Sequence, residues 1–168
     1  MVTSMSTPTV MPHVAKAFTG GTGHGAAACD SIAWRGEIIG AIPLFESVSK
    51  RHRRSIGRLA RVSSFHAGER LVTEGKAGSV LGVVLDGTLR VVKKGRTVAK
   101  LEAGSIFGEV AVLDPGPRTA SLVAQTDGEC LTIDGKDLWR LLSTEPAVGA
   151  EIARVLAGRL REVASGQD

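Results

Sequence analysis

This sequence specifies a mainly β domain with helices before and after it (α+β), its strands closing into a barrel or sandwich. Three observations lead there. Between Val62 and about Ile133, short Val/Leu runs alternate with turn residues at regular intervals. On either side of that stretch the apolar residues recur at helical spacing instead. The chain has 168 residues, 43% hydrophobic and 23% charged, which suits one compact domain with some tail to spare.

The elements follow in order. Residues 1–28 are rich in Thr, Ser, Pro and Gly and bury too little apolar surface to offset their ordering entropy, so they read as a flexible tail. Thr19–Gly25 faintly resembles a phosphate loop, but no Lys-Ser or Lys-Thr pair follows it and a linker is expected. The folded region is expected to run over 29–164, with 165–168 as a short tail. Asp30 or Ser31 can cap a first helix carrying Ile32, Ile38 and Ile39, which Pro43 stops. Ser47 or Ser49 can cap a second, with Val48, Ile56, Leu59 and Ala60 at roughly helical spacing. Val80–Leu85, Leu89–Val92 and Ser121–Ala124 read as strands, punctuated by His66-Ala67-Gly68, Gly75–Gly78, Asp86-Gly87, Lys94-Gly95 and Ala103-Gly104. Asp86-Gly87 between two apolar runs predicts a hairpin. Helices return over 135–164: Asp137–Leu142, then one opened by Pro146 with Val148, Ile152, Val155, Leu156, Leu160 and Val163 along one side.

Composition excludes several functions. Aromatics make up 4% and Tyr is absent, so the core rests on Val, Leu, Ile and Ala. The net charge of +4 and pI near 9.4 are a mild basic excess that does not by itself mean nucleic acid. No window has the length of apolar sequence a membrane span requires, and the N-terminus lacks the pattern of a secretory signal. Cys29 and Cys130 form neither a disulfide framework nor a zinc site. A cytoplasmic protein is expected. His13, His24, His52 and His66 are scattered, so a metal-dependent barrel enzyme lacks its ligands; no metal, cofactor or catalytic residue is assigned. Cys130 reads as a buried small hydrophobe, and Trp34 and Trp139 as packing anchors. The run Lys50-Arg51-His52-Arg53-Arg54, with Arg58 and Arg61, could face nucleic acid or acidic lipid. It also fits the solvated face of an amphipathic helix, and no aromatic interleaves with it for base stacking. No nucleic-acid-binding motif is present.

One segment breaks the strand pattern, Phe107-Gly108-Glu109-Val110-Ala111-Val112-Leu113-Asp114-Pro115-Gly116-Pro117-Arg118-Thr119-Ala120. Gly104 and Gly108 permit sharp turning or close approach. Glu109–Leu113 suffices for about one helical turn, whose start leaves free N–H groups that bind anions. Pro115-Gly116-Pro117 then returns the chain and presents Arg118.

This stretch, at 104–120, resembles the phosphate-binding cassette of cyclic-nucleotide-binding domains, shared by catabolite activator proteins, protein kinase A regulatory subunits and cyclic-nucleotide-gated channels. Pro43-Leu44-Phe45, Phe65 with Gly68-Glu69, Glu74-Gly75, Leu85 with Gly87, Leu138, Leu141-Leu142 and Pro146 stand in order around it, so the resemblance covers roughly 42–164. It implies a jelly-roll barrel and a 3′,5′-cyclic purine nucleotide as ligand, cAMP favoured over cGMP. By the same resemblance, Arg118 pairs with the exocyclic phosphate oxygens and the amides around Gly108, Glu109, Val110 and Ala111 complete the anion's solvation. Glu109 accepts from the ribose 2′-OH. Thr119, beside Ala120, donates to phosphate and can also bond a syn guanine, while Val98 and Leu101 form a wall against the base. A buried phosphate without such partners would cost several kcal/mol.

Two features depart from the family pattern. Gly82 stands where relatives often carry an aromatic, so that strand is expected to pack differently. The last helix has no aromatic to cap the base, which leaves aliphatics or an Arg stem. The implied function is a sensor module that signals through movement of the C-terminal helices. Its effector would be a protein or fused domain outside this chain, because Ala164–Asp168 carries no helix-turn-helix or catalytic region. The alternative is a non-binding domain kept as a protein-interaction scaffold. The oligomeric state is left open.

Overall fold

The computed structural model of the chain describes residues 31–165. The expected tail at 1–28, His13, His24, Cys29, the capping option at Asp30 and residues 166–168 lie outside the described residues.

Helix α1 spans Ile32–Ala41, and the Ser31 hydroxyl caps it by accepting the Trp34 N–H at 3.1 Å. Ile42 is already extended, as the residue before a proline prefers. Pro43–Phe45 then forms a short 3₁₀ turn that buries Leu44 and Phe45. Helix α2, Lys50–Gly57, is capped by Ser49. It ends sooner than its apolar spacing predicts, because the Leu59 N–H turns back to Ile56 and the chain leads directly into a strand. Ala60 is nevertheless fully buried.

The strands are β1 (Arg61–Phe65), β2 (Arg70–Val72), β3 (Ala77–Gly78), β4 (Val80–Asp86), β5 (Leu89–Lys93), β6 (Arg96–Leu101), β7 (Ile106–Phe107), β8 (Gly116–Pro117), β9 (Ser121–Ala124) and β10 (Gly128–Asp134). They form two antiparallel four-stranded sheets, ordered β1-β10-β4-β7 and β2-β9-β5-β6, and a two-stranded ribbon β3-β8. Helix α3, Gly135–Thr144, follows, capped by Asp134, and Pro146 opens α4, Pro146–Ala164.

Alternation along β4 explains its unbroken apolar run. Leu81, Val83 and Leu85 pack with Leu131 and Ile133 of β10 against the helices, in one buried cluster with Ile38, Ile56, Leu138, Val148 and Ile152. Val84 and Cys130 point the other way, into a second cluster with Leu89, Leu101, Phe107 and Leu122. Strand β4 is therefore buried on both faces and does not alternate apolar with polar. Helices, first sheet and second sheet form three layers.

Two expectations need correction. Asp86-Gly87 does not join paired strands: β4 belongs to the first sheet and β5 to the second. Gly87 turns a corner between sheets, fixed by Thr88, whose N–H reaches Thr126 Oγ1 and whose carbonyl accepts from Gln125. The tight hairpin is instead at Lys94-Gly95, between β5 and β6, with φ of 49° and 75°, the positive pair that a type I′ turn requires. Trp139 is no packing anchor either, since it stands 47% exposed on α3. Trp34 does pack against the helical core.

Candidate functional site

The ribbon β3-β8 fixes Arg118. Ala77 pairs with Pro117 and Gly78 with Gly116. The Arg118 N–H then donates to Lys76 at 2.9 Å and its carbonyl accepts from Gly75 at 2.8 Å. With its backbone held on both sides, Arg118 extends its side chain inward and donates from Nη2 to the Val80 carbonyl at 2.9 Å.

Two glycines make room for that guanidinium. A Cβ on Gly78 would lie 2.9 Å from Arg118 Nε, and one on Gly108 would lie 3.1 Å from Nη1 while colliding with the Val80 carbonyl. Gly108 also has φ +77°, a conformation that only glycine adopts without strain. The slot is a three-part arrangement of Gly78, Gly108 and Val80 around one side chain. A guanidinium has five N–H donors; the bond to Val80 uses one and fixes the plane of the fork.

Arg118 lines a cavity of about 500 Å³ between the edges of the two sheets, within the range of small-molecule sites. Phe65, Val72, Val80 and Phe107 supply apolar wall. Of the ionisable side chains around it, Arg70, Lys76 and Arg118 are cationic and Glu69 is the acid, so the cavity favours an anion. Burial pushes the Arg118 guanidinium below its ordinary range. This is the desolvation that an anionic partner would compensate.

Beside it, residues 109–113 form one helical turn. Val112 N–H bonds to Gly108, while Leu113 and Asp114 N–H both reach Val110. The ladder thus starts at Val112, and the amides of Val110 and Ala111 precede its first bond. Val112 is fully buried in the same cluster as Leu138, Val148 and Ile152. Val110, at the tip, is 74% exposed.

The expected site residues do not all converge. Gly108 and Arg118 are neighbours, as above. Glu109, Ala111 and Ala120 are half-buried around the turn and the start of β9, and Thr119 is exposed. Leu101 is buried beside Phe107 in the core between the sheets. Val98 lies at the bulge where Thr97 and Ala99 oppose Val92 and Val91, and is 47% exposed. Of the expected residues Arg118 alone lines the cavity; Gly108, Glu109, Val110, Ala111, Thr119, Ala120, Val98 and Leu101 are not among its lining residues. Gly78, Val80 and Val72 were not anticipated. The signal for Gly78 was the second glycine of Gly75-Lys76-Ala77-Gly78: Gly75 has positive φ for the turn, but Gly78 does not, so its lack of a side chain serves space.

Comparison with known proteins bears on this geometry. Residues 62–145 match the family described as the cyclic nucleotide-binding domain. A cyclic AMP receptor protein of Thermus thermophilus is 37% identical over 100 residues, 56% of this chain and 46% of that protein. A cGMP-dependent protein kinase of Eimeria tenella is 32% identical over 102 residues, 61% of this chain and 10% of the kinase. The chain thus spans less than half the length of either relative. Among solved structures, the N-terminal domain of a transcriptional regulator from Streptomyces coelicolor superposes with a TM-score of 0.68 at 27% identity, over 78% of this chain and 94% of that one.

Proposed function

Since the chain belongs to the cyclic nucleotide-binding domain family, we propose that it is a regulatory module whose ligand is a 3′,5′-cyclic purine nucleotide, cAMP in preference to cGMP. The observation that carries this reading is the immobilised guanidinium of Arg118, lodged between Gly78 and Gly108 at a cationic cavity. The cyclic phosphate takes the free edge of that fork and the amides that open the 109–113 turn. Glu109 accepts from the ribose hydroxyl, and Thr119 adds a donor.

Apolar lining receives the purine, with Val98 and Leu101 drawn toward the base as the turn closes. The preference for cAMP follows a relative named for cyclic AMP, which is 37% identical over 100 residues. The cGMP-dependent kinase and the Thr119 hydroxyl keep cGMP as the second ligand.

Transmission runs through Val112. It sits on the cassette turn yet packs in one cluster with α3 and α4, so displacing the turn disturbs the seat of both helices. Leu156 and Leu160 extend α4 with exposed apolar surface, which is available to close over the base. A ligand shifts this balance only by its difference in affinity for the two arrangements.

No chemistry on the nucleotide is proposed. The module is expected to act in the cytoplasm through a protein effector or a fused effector domain; among the described residues no helix is long and apolar enough to cross a membrane. Calorimetric titration of the full chain with cAMP, cGMP and 5′-AMP tests the proposal. It expects saturable cAMP binding, weaker cGMP binding and little response to 5′-AMP. Equal binding of all three, or of none, would count against it.

A further inference from the structure

A second cleft, of about 720 Å³, opens on the far side of the helical layer, between α2 and the corner joining α3 to α4. Its cationic wall is Arg51, Arg54 and Arg58, one stripe of α2 and its C-terminal cap, all exposed. None of the three is in an ion pair among the described residues. The opposite wall is Glu145, Pro146 and Ala147.

The acids nearby are already engaged. Glu145 accepts from the Ser55 hydroxyl at 3.1 Å. Glu151 meets His52 Nδ1 at 3.0 Å and the Ser49 N–H at 2.9 Å. These contacts hold the two walls apart at a set width and leave the three guanidinium groups facing the opening. Residues 50–61 contain six Lys or Arg and no acid, so the helix bears self-repulsion that its own fold does not relieve.

We propose that this cleft binds an acidic segment of a partner protein, independently of the cyclic-nucleotide site. Carboxylates pair with the three Arg forks, which suit them bidentately. Pro146 and Ala147 offer an apolar floor for the segment's aliphatic stems.

Other polyanions fit less well. The apolar side of α2 is sealed in the core, with Ile56 fully buried, so nothing is left to insert into lipid. No aromatic lines the cleft for stacking single-stranded bases. Arg51, Arg54 and Arg58 line a recess instead of projecting, which admits a single extended segment more readily than the rigid backbone of a duplex.

The test uses the full chain and a fluorescein-labelled octaglutamate peptide, read by anisotropy and by amide NMR shifts. The expected result is binding with shifts grouped at residues 51–58 and 145–148. Arg51→Glu with Arg54→Glu should weaken it by about tenfold or more, roughly 1.4 kcal/mol. Arg96→Glu with Lys100→Glu, an equal charge change at exposed positions of the second sheet, should weaken it by no more than about threefold. Both pairs are surface changes, and a retained amide spectrum certifies folding; Arg51→Ala with Arg58→Ala substitutes should the reversal unfold. Equal losses in the two double variants, or shifts elsewhere, would overturn the proposal. So would a DNA duplex or phosphatidylserine vesicle that displaces the peptide and binds these residues more tightly.

Discussion

Arg118 and Val80 lie 38 positions apart in sequence, yet the Arg118 Nη2 donates to the Val80 carbonyl at 2.9 Å, and that bond orients the fork toward the cavity. Arg118→Ala should lower cAMP affinity by roughly 2–5 kcal/mol, the scale for removing one partner of a desolvated charge pair. The unliganded protein should lose only about 1 kcal/mol, for one hydrogen bond. Arg118→Lys keeps the charge but not the fork, and should recover less than half of the lost binding energy. Calorimetry and urea unfolding on the same samples separate the two effects. A stability loss as large as the binding loss would make Arg118 a structural residue.

Gly108→Ala places a side chain at φ +77° against the Val80 carbonyl and the Arg118 guanidinium. Strain of this kind costs on the order of 1–3 kcal/mol, so the melting temperature should fall by several degrees, and cAMP binding should weaken as Arg118 is pushed aside. Gly116→Ala is the matched control, because a Cβ there meets nothing within 4 Å. It should change neither by much. Thermal melts with and without ligand decide the matter.

Much of this fold was legible locally. Ser31 and Ser49 cap the helices as their positions suggest, and Pro146 opens the last helix. What was not legible depends on distant partners. Asp86-Gly87 satisfies every local condition for a hairpin, but Thr88 bonds to residues 125 and 126 and commits the chain to the other sheet. Lys94-Gly95, a poorer hairpin pair on composition, makes the turn instead, with Glu74 accepting the Lys94 N–H. The site divides in the same way. Its motif names Arg118 and Gly108 outright, whereas the carbonyl and second glycine that orient Arg118 come from the Gly78–Val80 stretch, which carries no chemical signature of its own.

Val112 tests the coupling between the turn and the C-terminal helices. It is fully buried in the helical cluster, so Val112→Ala should cost about 2 kcal/mol through two lost carbons and the space they leave. The more telling readout is fluorescence of Trp139, exposed on α3. Its response to saturating cAMP should shrink in the variant relative to the parent. An unchanged amplitude would leave the coupling without its proposed route.

The Cys130 thiol gives a pH signature. Burial first, then the carboxylates of Glu69 and Glu129, push it from 9.0 up to about 11. The folded state therefore keeps its proton where the unfolded chain has lost it. Stability from this source is whole below pH 9 and declines as pH rises toward 11. Cys130→Ala should flatten the difference in urea midpoint across that window, and the native thiol should react slowly with disulfide reagents near neutral pH.

Gly82 and Phe107 oppose each other directly across β4 and β7, and the Phe107 ring fills the space where a Gly82 side chain would stand. The space that a side chain on this strand would take is thus filled by an aromatic reaching over from its neighbour. Gly82→Ala should destabilise by about 1–3 kcal/mol through overpacking, and Phe107→Ala by about 3–5 kcal/mol through the void it leaves. Together they should cost less than their sum by about 1 kcal/mol or more, because each relieves what the other creates. Strict additivity in a double-mutant cycle by urea unfolding would mean that the ring does not rest on Gly82. Since Phe107 also lines the cavity beside Arg118, the same pair should alter cAMP affinity even where folding is restored.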